Sequence, residues 1–506
     1  MCHVRVEFPY EIVEVRGSYC FRMSGRTAIL GGGVSGLSAA YYLLENSKLR
    51  NITLIEASER TGGWLRSKVL SNGIIFEEGP RTVRPQGPAG SNTLHLIDRL
   101  KLTEKIIPIS LSHPAAKNRM IYAENKLHKL PNSLLGMFRT NSPFDRPLIG
   151  CLMNDLRAPK LIKDDETIYS FVERRLGKDV ADYLISPMIC GICAGDARRI
   201  SVKFLMTALF EHEQNHGSIV KGFMASRLQS FLSFSQKTVK NSFIFSGEHS
   251  DSRFSSHRLA GKEKWSMWTL RGGLEQLSIA LANDITSRGV VIGLNIRCQG
   301  ITFADGGVEL ELNGKKHKFA RVISSLSAKH LADLVQRQHP KLAAELLAIP
   351  YVTVAVINLV FAGNVLEQEA FGFLVAPKEQ SPILGVIYDS CILPRKDTTV
   401  LTVMMGGAWF TSNFGDHPTK EHLLSVAIQH TKKILNIEAG PLSYNVAILK
   451  DCIPQYVVGH QDRIKRIEDY VGKHKLPLSL CGSAYKGVGL NDVILSGQQA
   501  ASAFYQ

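Results

Sequence analysis

Thr27-Ala28-Ile29-Leu30-Gly31-Gly32-Gly33-Val34-Ser35-Gly36 runs from a short apolar stretch into spaced glycines, and its reading decides the architecture of the chain. Gly31, Gly33 and Gly36 stand where a strand-to-helix turn needs a tight bend, close backbone approach to a phosphate, and a closely packed helix, in that order. Val34 to Leu44 supplies the helix and Asn51 to Ile55 a second apolar strand. Glu56 closes that strand 20 residues after Gly36, where a carboxylate accepts both hydroxyls of an adenosine ribose. The spacing predicts a strand-helix-strand unit with dinucleotide phosphates seated on a helix N-terminus.

The continuation Glu56-Ala57-Ser58-Glu59-Arg60-Thr61-Gly62-Gly63-Trp64-Leu65-Arg66 narrows the dinucleotide to FAD. A second glycine pair and a basic side chain just past the second strand bracket the diphosphate from the other side, an element NAD sites rarely carry. Ser35 and Trp64 read as packing or backbone contributors. The far end of the chain points the same way. Leu478 to Leu480 is a short apolar strand, Cys481 to Leu490 a glycine-rich loop, and Asn491-Asp492 a cap for a helix from Val493 to Phe504. The positive end of that helix would face the flavin pyrimidine and stabilise the negative charge a reduced flavin develops.

From about Ser24 to its C-terminus the chain resembles the mitochondrial, animal-type protoporphyrinogen oxidases, within the flavin-containing amine oxidase superfamily. The resemblance rests on Gly31 to Gly36, on Glu77-Glu78-Gly79-Pro80-Arg81, on His113-Pro114-Ala115-Ala116-Lys117-Asn118-Arg119, on Trp265 to Leu274, and on Cys452-Ile453-Pro454-Gln455-Tyr456. It implies an α/β fold in which a Rossmann-like FAD-binding lobe is interleaved with a β-sheet substrate-binding lobe and a helical, membrane-associated lobe. One non-covalent FAD per chain would meet Gly31, Gly32, Gly33, Val34, Ser35, Gly36, Glu56, Ala57, Gly62, Gly63, Trp64 and Arg66. The same implied set continues with Gly79, Pro80, Arg81, Thr82, Ile296, Ser483, Val488, Gly489 and Leu490. Arg119 matches the family arginine that faces a substrate propionate, Phe371 and Leu374 match apolar residues that sandwich a pyrrole ring, and Met404 matches a residue near the flavin face. Without the family, these last three read as core residues.

The implied chemistry is six-electron oxidation of protoporphyrinogen IX to protoporphyrin IX in three rounds, the penultimate step of haem biosynthesis, with dioxygen reoxidising FAD and leaving as hydrogen peroxide. No catalytic nucleophile or base and no metal is called for. The resemblance further implies a peripheral protein on the intermembrane-space side of the mitochondrial inner membrane, in contact with its lipid, with a second copy of the chain and with ferrochelatase. Two other readings stay open: a flavin oxidase acting on amines or carotenoid precursors, and a non-enzymatic lipid or prenyl-protein escort on the same fold.

With 506 residues, 44% of them hydrophobic and 21% charged, the chain buries a sizeable core in two or three lobes. No run of about 18 apolar residues marks a spanning helix. Val352 to Phe361 is β-branched and reads as a buried strand. Nine cysteines without a secretory signal read as reduced thiols, and Cys190-Gly191-Ile192-Cys193, in a helical region, as packing thiols. The net charge of +15 is scattered, with no nucleic-acid motif, and favours an anionic lipid surface over nucleic acid. Leu134 to Phe138 and Pro147-Leu148-Ile149, beside Arg139 and Arg146, are the apolar segments suited to lie in an interface.

Met1 to Arg22 reads as an extension outside the fold, too acidic for a transit peptide, with any mitochondrial signal internal to the first strand-helix-strand unit. Residues 24–112 open the FAD-binding lobe, 113–225 form the helical lobe with substrate contacts, and 236–264 read as a polar inserted loop. Residues 265–325 return to the FAD lobe, 326–450 form the substrate-binding lobe, and 451–506 finish the FAD lobe.

Overall fold

The computed structural model describes residues 26–46, 51–227 and 255–503; the extension at 1–22 and most of the predicted inserted loop lie outside the described residues. Five parallel strands form the nucleotide sheet in the order Leu478–Leu480, Arg321–Ser324, Thr27–Leu30, Ile52–Ile55, Val291–Gly293. The central strands read as unbroken apolar runs because both faces are covered. Ile29 and Ile323 point into a core shared with the helices Val34–Asn46, Glu275–Ser287 and Leu490–Ala503. Ala28, Leu30 and Val322 face the opposite core, built on a three-stranded antiparallel meander and the helix Ala328–Val335.

A seven-stranded sheet forms the second lobe, in the order Ser443–Pro454, Tyr351–Ala362, Thr398–Gly407, Ile383–Tyr388, Gly372–Val375, Met120–Ala123, Lys126–Lys129. Its longest buried strand, Tyr351–Ala362, alternates strictly. Ala355, Ile357, Leu359 and Phe361 enter one core, while Val352, Val354 and Val356 enter another on the opposite face. The third lobe is helical, from Leu134–Met137 through Thr207–His216. Arg174 and Arg175 pin it together through Glu166, Glu213 and Asp155, with Arg175 and Asp155 both fully buried.

Four local expectations are corrected. The stretch Phe319–Ser324, whose composition predicts a single meander strand, divides into Lys315–Phe319, which closes the meander, and Arg321–Ser324, which crosses into the parallel sheet. Within 113–225, Met120–Ala123 and Lys126–Lys129 leave the helical lobe and extend the large sheet, Met120 pairing with Phe373. The end of the predicted polar loop, Ser255–Lys262, is a helix whose Ser256 amide donates to Asp98. The terminal helix begins at Leu490, so Asn491 and Asp492 lie inside its first turn instead of preceding it.

Candidate active site

The turn after Thr27–Leu30 is built as its glycines require. Gly31 adopts φ +98°, open to glycine at little cost, and a Cβ on Gly36 would overlap the Gly31 carbonyl oxygen. Gly33 is different. A Cβ there would meet nothing nearer than the Gly63 Cα at 3.9 Å, so the folded chain itself has no need of a glycine at this position. The space is that of a ligand lying against the backbone at the start of helix Val34–Asn46.

Glu56 stands at the end of the second strand with both oxygens oriented by neighbours. One accepts the Gly32 amide at 2.6 Å and the other the Ser58 amide and hydroxyl at 2.8 and 2.7 Å. Three of the carboxylate's roughly four acceptor sites are thus used, and the oxygen that accepts from Gly32 retains capacity toward a ribose. Ile296 closes this end, its amide donating to the Glu56 carbonyl at 2.9 Å. The second glycine pair folds back on the first: the Gly62 amide donates to Gly32 at 2.8 Å, and Gly33 and Gly62 form an isolated parallel bridge.

Arg60, which the motif reading passed over, braces that loop. It donates to the carbonyls of Thr61, Gly63 and Leu65 and to Glu275. The signal lay within the quoted motif, in its one inward-turned cation. Arg66 is exposed and directed to Glu78 at 3.4 Å, Trp64 is exposed, and Gly79 packs where a side chain would overlap the Trp64 carbonyl. Ala57 and Pro80 are exposed and Thr82 is half-buried.

Arg81 does not lie free beside this cleft. It is buried and pairs with Asp389 at 3.4 Å, while Thr402 donates to Asp389 at 2.6 Å and Asn358 donates to Thr402 at 2.8 Å. This polar chain joins the nucleotide lobe to the large sheet. Its sequence signal was Asn358, a polar residue within a buried apolar run. Next to Arg81, Glu77 accepts from the Leu274 amide at 2.8 Å and from Ser67 at 2.7 Å. Burial pushes the Glu77 carboxyl up to about 7, against those hydrogen bonds and Arg81, which pull it down.

On the large sheet, register places Leu374 opposite Gly385, Gly385 opposite Met404, and Met404 opposite Val356, so Leu374 and Met404 share one face with Gly385 between them. That face turns to helix Ser186–Cys193, where a side chain on Gly191 would press on Leu374. Cys190 and Cys193 on this helix are buried, and desolvation holds both thiols well above their ordinary value. Phe371 sits apart, in a cluster with Ile109, Ala115 and Met267. Arg119 stacks over it, guanidinium to ring centroid at 5.6 Å. Among the described residues Arg119 has no carboxylate partner. It is accessible to solvent, yet desolvation lowers its pKa and the charge of Arg84 adds to the effect.

At the C-terminal end, the loop after Leu478–Leu480 reaches the same edge of the sheet as Gly31 and Glu56. Gly482 lies against Ser35, and a side chain on Gly497 would overlap the Ser35 carbonyl, so helices Leu490–Ala503 and Val34–Asn46 pack closely. Leu490 packs into the core shared with helix Val34–Asn46, whereas Val488 packs against the helical lobe, and Ser483 and Gly489 lie on the loop between Leu478–Leu480 and helix Leu490–Ala503. The glycine at 33, the oriented Glu56 and the helix starts on one strand edge fit FAD, for which they would supply phosphate, ribose and pyrimidine contacts respectively.

Fold and site together define an FAD-dependent oxidoreductase. Residues 34–503 match the family described as flavin containing amine oxidoreductase, and the chain belongs to that family. Human protoporphyrinogen oxidase is 37% identical over 494 residues, covering 94% of this chain and 98% of the human protein. The protoporphyrinogen oxidase of Schizosaccharomyces pombe is 32% identical, covering 94% and 97%. Coproporphyrinogen III oxidase of Bacillus subtilis is 25% identical, covering 94% and 96%. Among solved structures, cyclohexylamine oxidase from Brevibacterium oxydans superposes with a TM-score of 0.64 at 15% identity, over 95% of this chain and 98% of that one.

Proposed function

We propose that this chain oxidises protoporphyrinogen with FAD, and that Arg119, stacked on Phe371 and without a carboxylate partner among the described residues, is the observation carrying the choice of an anionic macrocycle. The exposed guanidinium of Arg119, held over the Phe371 ring, is placed to take a ligand carboxylate, and its planar fork suits a propionate. Leu374 and Met404 give the sheet an apolar floor, brought together by register across Gly385. FAD, when bound, would supply a two-electron acceptor for hydride from a substrate carbon, with dioxygen as the terminal oxidant and hydrogen peroxide as its product. The chain contributes orientation: Arg119 fixes one edge of the macrocycle, the apolar floor fixes its plane, and protons from pyrrole nitrogens pass to solvent without a dedicated base.

Membrane attachment belongs to the same reading, peripheral to the mitochondrial inner membrane on its intermembrane-space side. What supports it is the outer face of the helical lobe. There Leu135, Leu152, Met153, Leu156, Ile162, Phe223 and Met224 are exposed, with Arg157, Lys160, Lys221 and Arg227 exposed among them. No helix among the described residues is long and apolar enough to cross a membrane. Of the two segments singled out in the sequence, Leu135 and Phe138 are exposed, whereas Leu148 packs inward. Self-association and contact with ferrochelatase complete the reading.

The decisive experiment is anaerobic titration of the yellow protein with protoporphyrinogen IX, coproporphyrinogen III and a primary amine, following bleaching of the flavin. Rapid bleaching by protoporphyrinogen alone supports the assignment. Bleaching by the amine, or preference for coproporphyrinogen III, overturns it.

A further inference from the structure

Tyr456 lies outside both the nucleotide cleft and the apolar floor, yet it joins the helical lobe to the loop before the terminal helix. Its hydroxyl donates to the Ser483 carbonyl at 2.6 Å and accepts the Gly487 amide at 2.7 Å. Those two bonds grip the loop that precedes helix Leu490–Ala503. Behind the hydroxyl, the ring lies 4.5 Å from that of Phe204 and stacks on His460 at 3.9 Å, and the Tyr456 carbonyl accepts the Ser201 amide at 2.8 Å. Its neighbour Gln455 donates to the carbonyl of Cys193, at the end of the helix whose Gly191 abuts Leu374. A second anchor on the far side of the loop is Ser496, which accepts the Gly482 amide at 2.9 Å.

We propose that Tyr456 is a positioning residue of the redox centre: by fixing Ser483 and Gly487 it aims the N-terminus of helix Leu490–Ala503 at the flavin and so raises the electron affinity of the bound cofactor. The inference rests on the FAD reading of the site. A helix start stabilises developing negative charge only within about a turn of its end, so a small displacement of this loop changes the field at the cofactor. The helical lobe, through the Ser201 amide on the Tyr456 carbonyl, holds the backbone of Tyr456 in place.

The test compares FAD-loaded wild type with Tyr456→Phe, Ser496→Ala and Phe204→Leu. The first two loosen the loop from opposite sides, the first keeping its ring packing; the third disturbs the ring contact and keeps the hydroxyl. The two-electron potential, the visible flavin spectrum and the melting temperature are read for each. Tyr456→Phe and Ser496→Ala should each lower the equilibrium constant for flavin reduction about tenfold, a fall of about 30 mV for two electrons, while Phe204→Leu loses melting temperature and keeps the wild-type potential. Unchanged potentials in both loop variants, or an equal shift in Phe204→Leu, overturn the proposal. Should Tyr456→Phe fail to load FAD, Ser496→Ala decides alone. A wild-type protein that binds no FAD would sink the cofactor reading itself, a result distinct from an unshifted variant.

Discussion

Arg81 and Asp389 face each other across two lobes, Nη1 to Oδ1 at 3.4 Å, with side chains only 6% and 14% exposed. The pair is 308 positions apart in the chain, and Thr402 and Asn358 extend it into the large sheet. Asp389→Asn leaves a buried guanidinium without its counter-charge and should cost roughly 3 kcal/mol in urea unfolding. The double variant Arg81→Met with Asp389→Leu should recover much of that loss. A double variant worse than the sum of the singles would show that the pair is not the unit.

Gly33 and Gly36 separate ligand from fold. Gly36→Ala forces a methyl group into the Gly31 carbonyl and should lower the melting temperature of the apoprotein as well as abolish FAD loading. Gly33→Ala has open space before it and should leave the apoprotein unchanged while weakening FAD by about tenfold or more. Equal apoprotein melting losses in both would remove the phosphate from Gly33.

Glu77 gives the pH dependence a sign. Its folded-state pKa of about 7 stands above the ordinary 4.5, so the folded chain binds this proton more tightly than the unfolded one. Stability contributed by the protonated group is complete below the ordinary value and falls as pH rises through 7, by at most roughly 3 kcal/mol. Glu77→Gln keeps an acceptor for the Leu274 amide and should flatten the slope between pH 5 and 8. Urea midpoints across that range check it; an unaltered slope assigns the titration elsewhere.

For Arg119, truncation to alanine should cost roughly 2–4 kcal/mol in kcat/KM for the diacid substrate, because a propionate loses its charged partner. FAD content should stay normal. Lysine should restore only part of the activity, since an ammonium keeps the charge and loses the fork and the stacking on Phe371. The readout is preference for protoporphyrinogen IX over its propionate diester, which wild type should show and Arg119→Ala should lose.

Membrane binding should fall with Ile162→Asp and Phe223→Ser, both fully surface changes that leave flavin content intact. Flotation with cardiolipin vesicles should drop at least about fivefold, and raised salt should weaken wild-type binding only in part, because apolar burial is salt-independent while the basic rim is screened. Undiminished flotation would place the lipid contact on another face.

The nucleotide half was legible in the sequence because its requirements are local. Gly31, Gly33, Gly36 and Glu56 lie within one strand-helix-strand unit, where turn geometry, helix start and strand end follow from neighbours in the chain. Elements were legible where a run was long and one-sided, as in Tyr351–Ala362, and failed where a strand changed partners, as at Ala320, because pairing and not propensity ends a strand there.

What only the tertiary structure decided is long-range juxtaposition. Arg81 reads from its motif as a cofactor contact, and its pairing with Asp389, 308 positions away, is visible only in the fold. Leu374 and Met404 became neighbours through register across three strands, while Phe371, three positions from Leu374, went to a different cluster with Arg119 above it. Tyr456 carried no readable signal for its grip on Ser483 and Gly487, since a hydroxyl's partners are chosen by which loop the fold brings within 3 Å. The backbone motifs determined which cofactor the chain holds; burial and register across hundreds of residues determined what faces it.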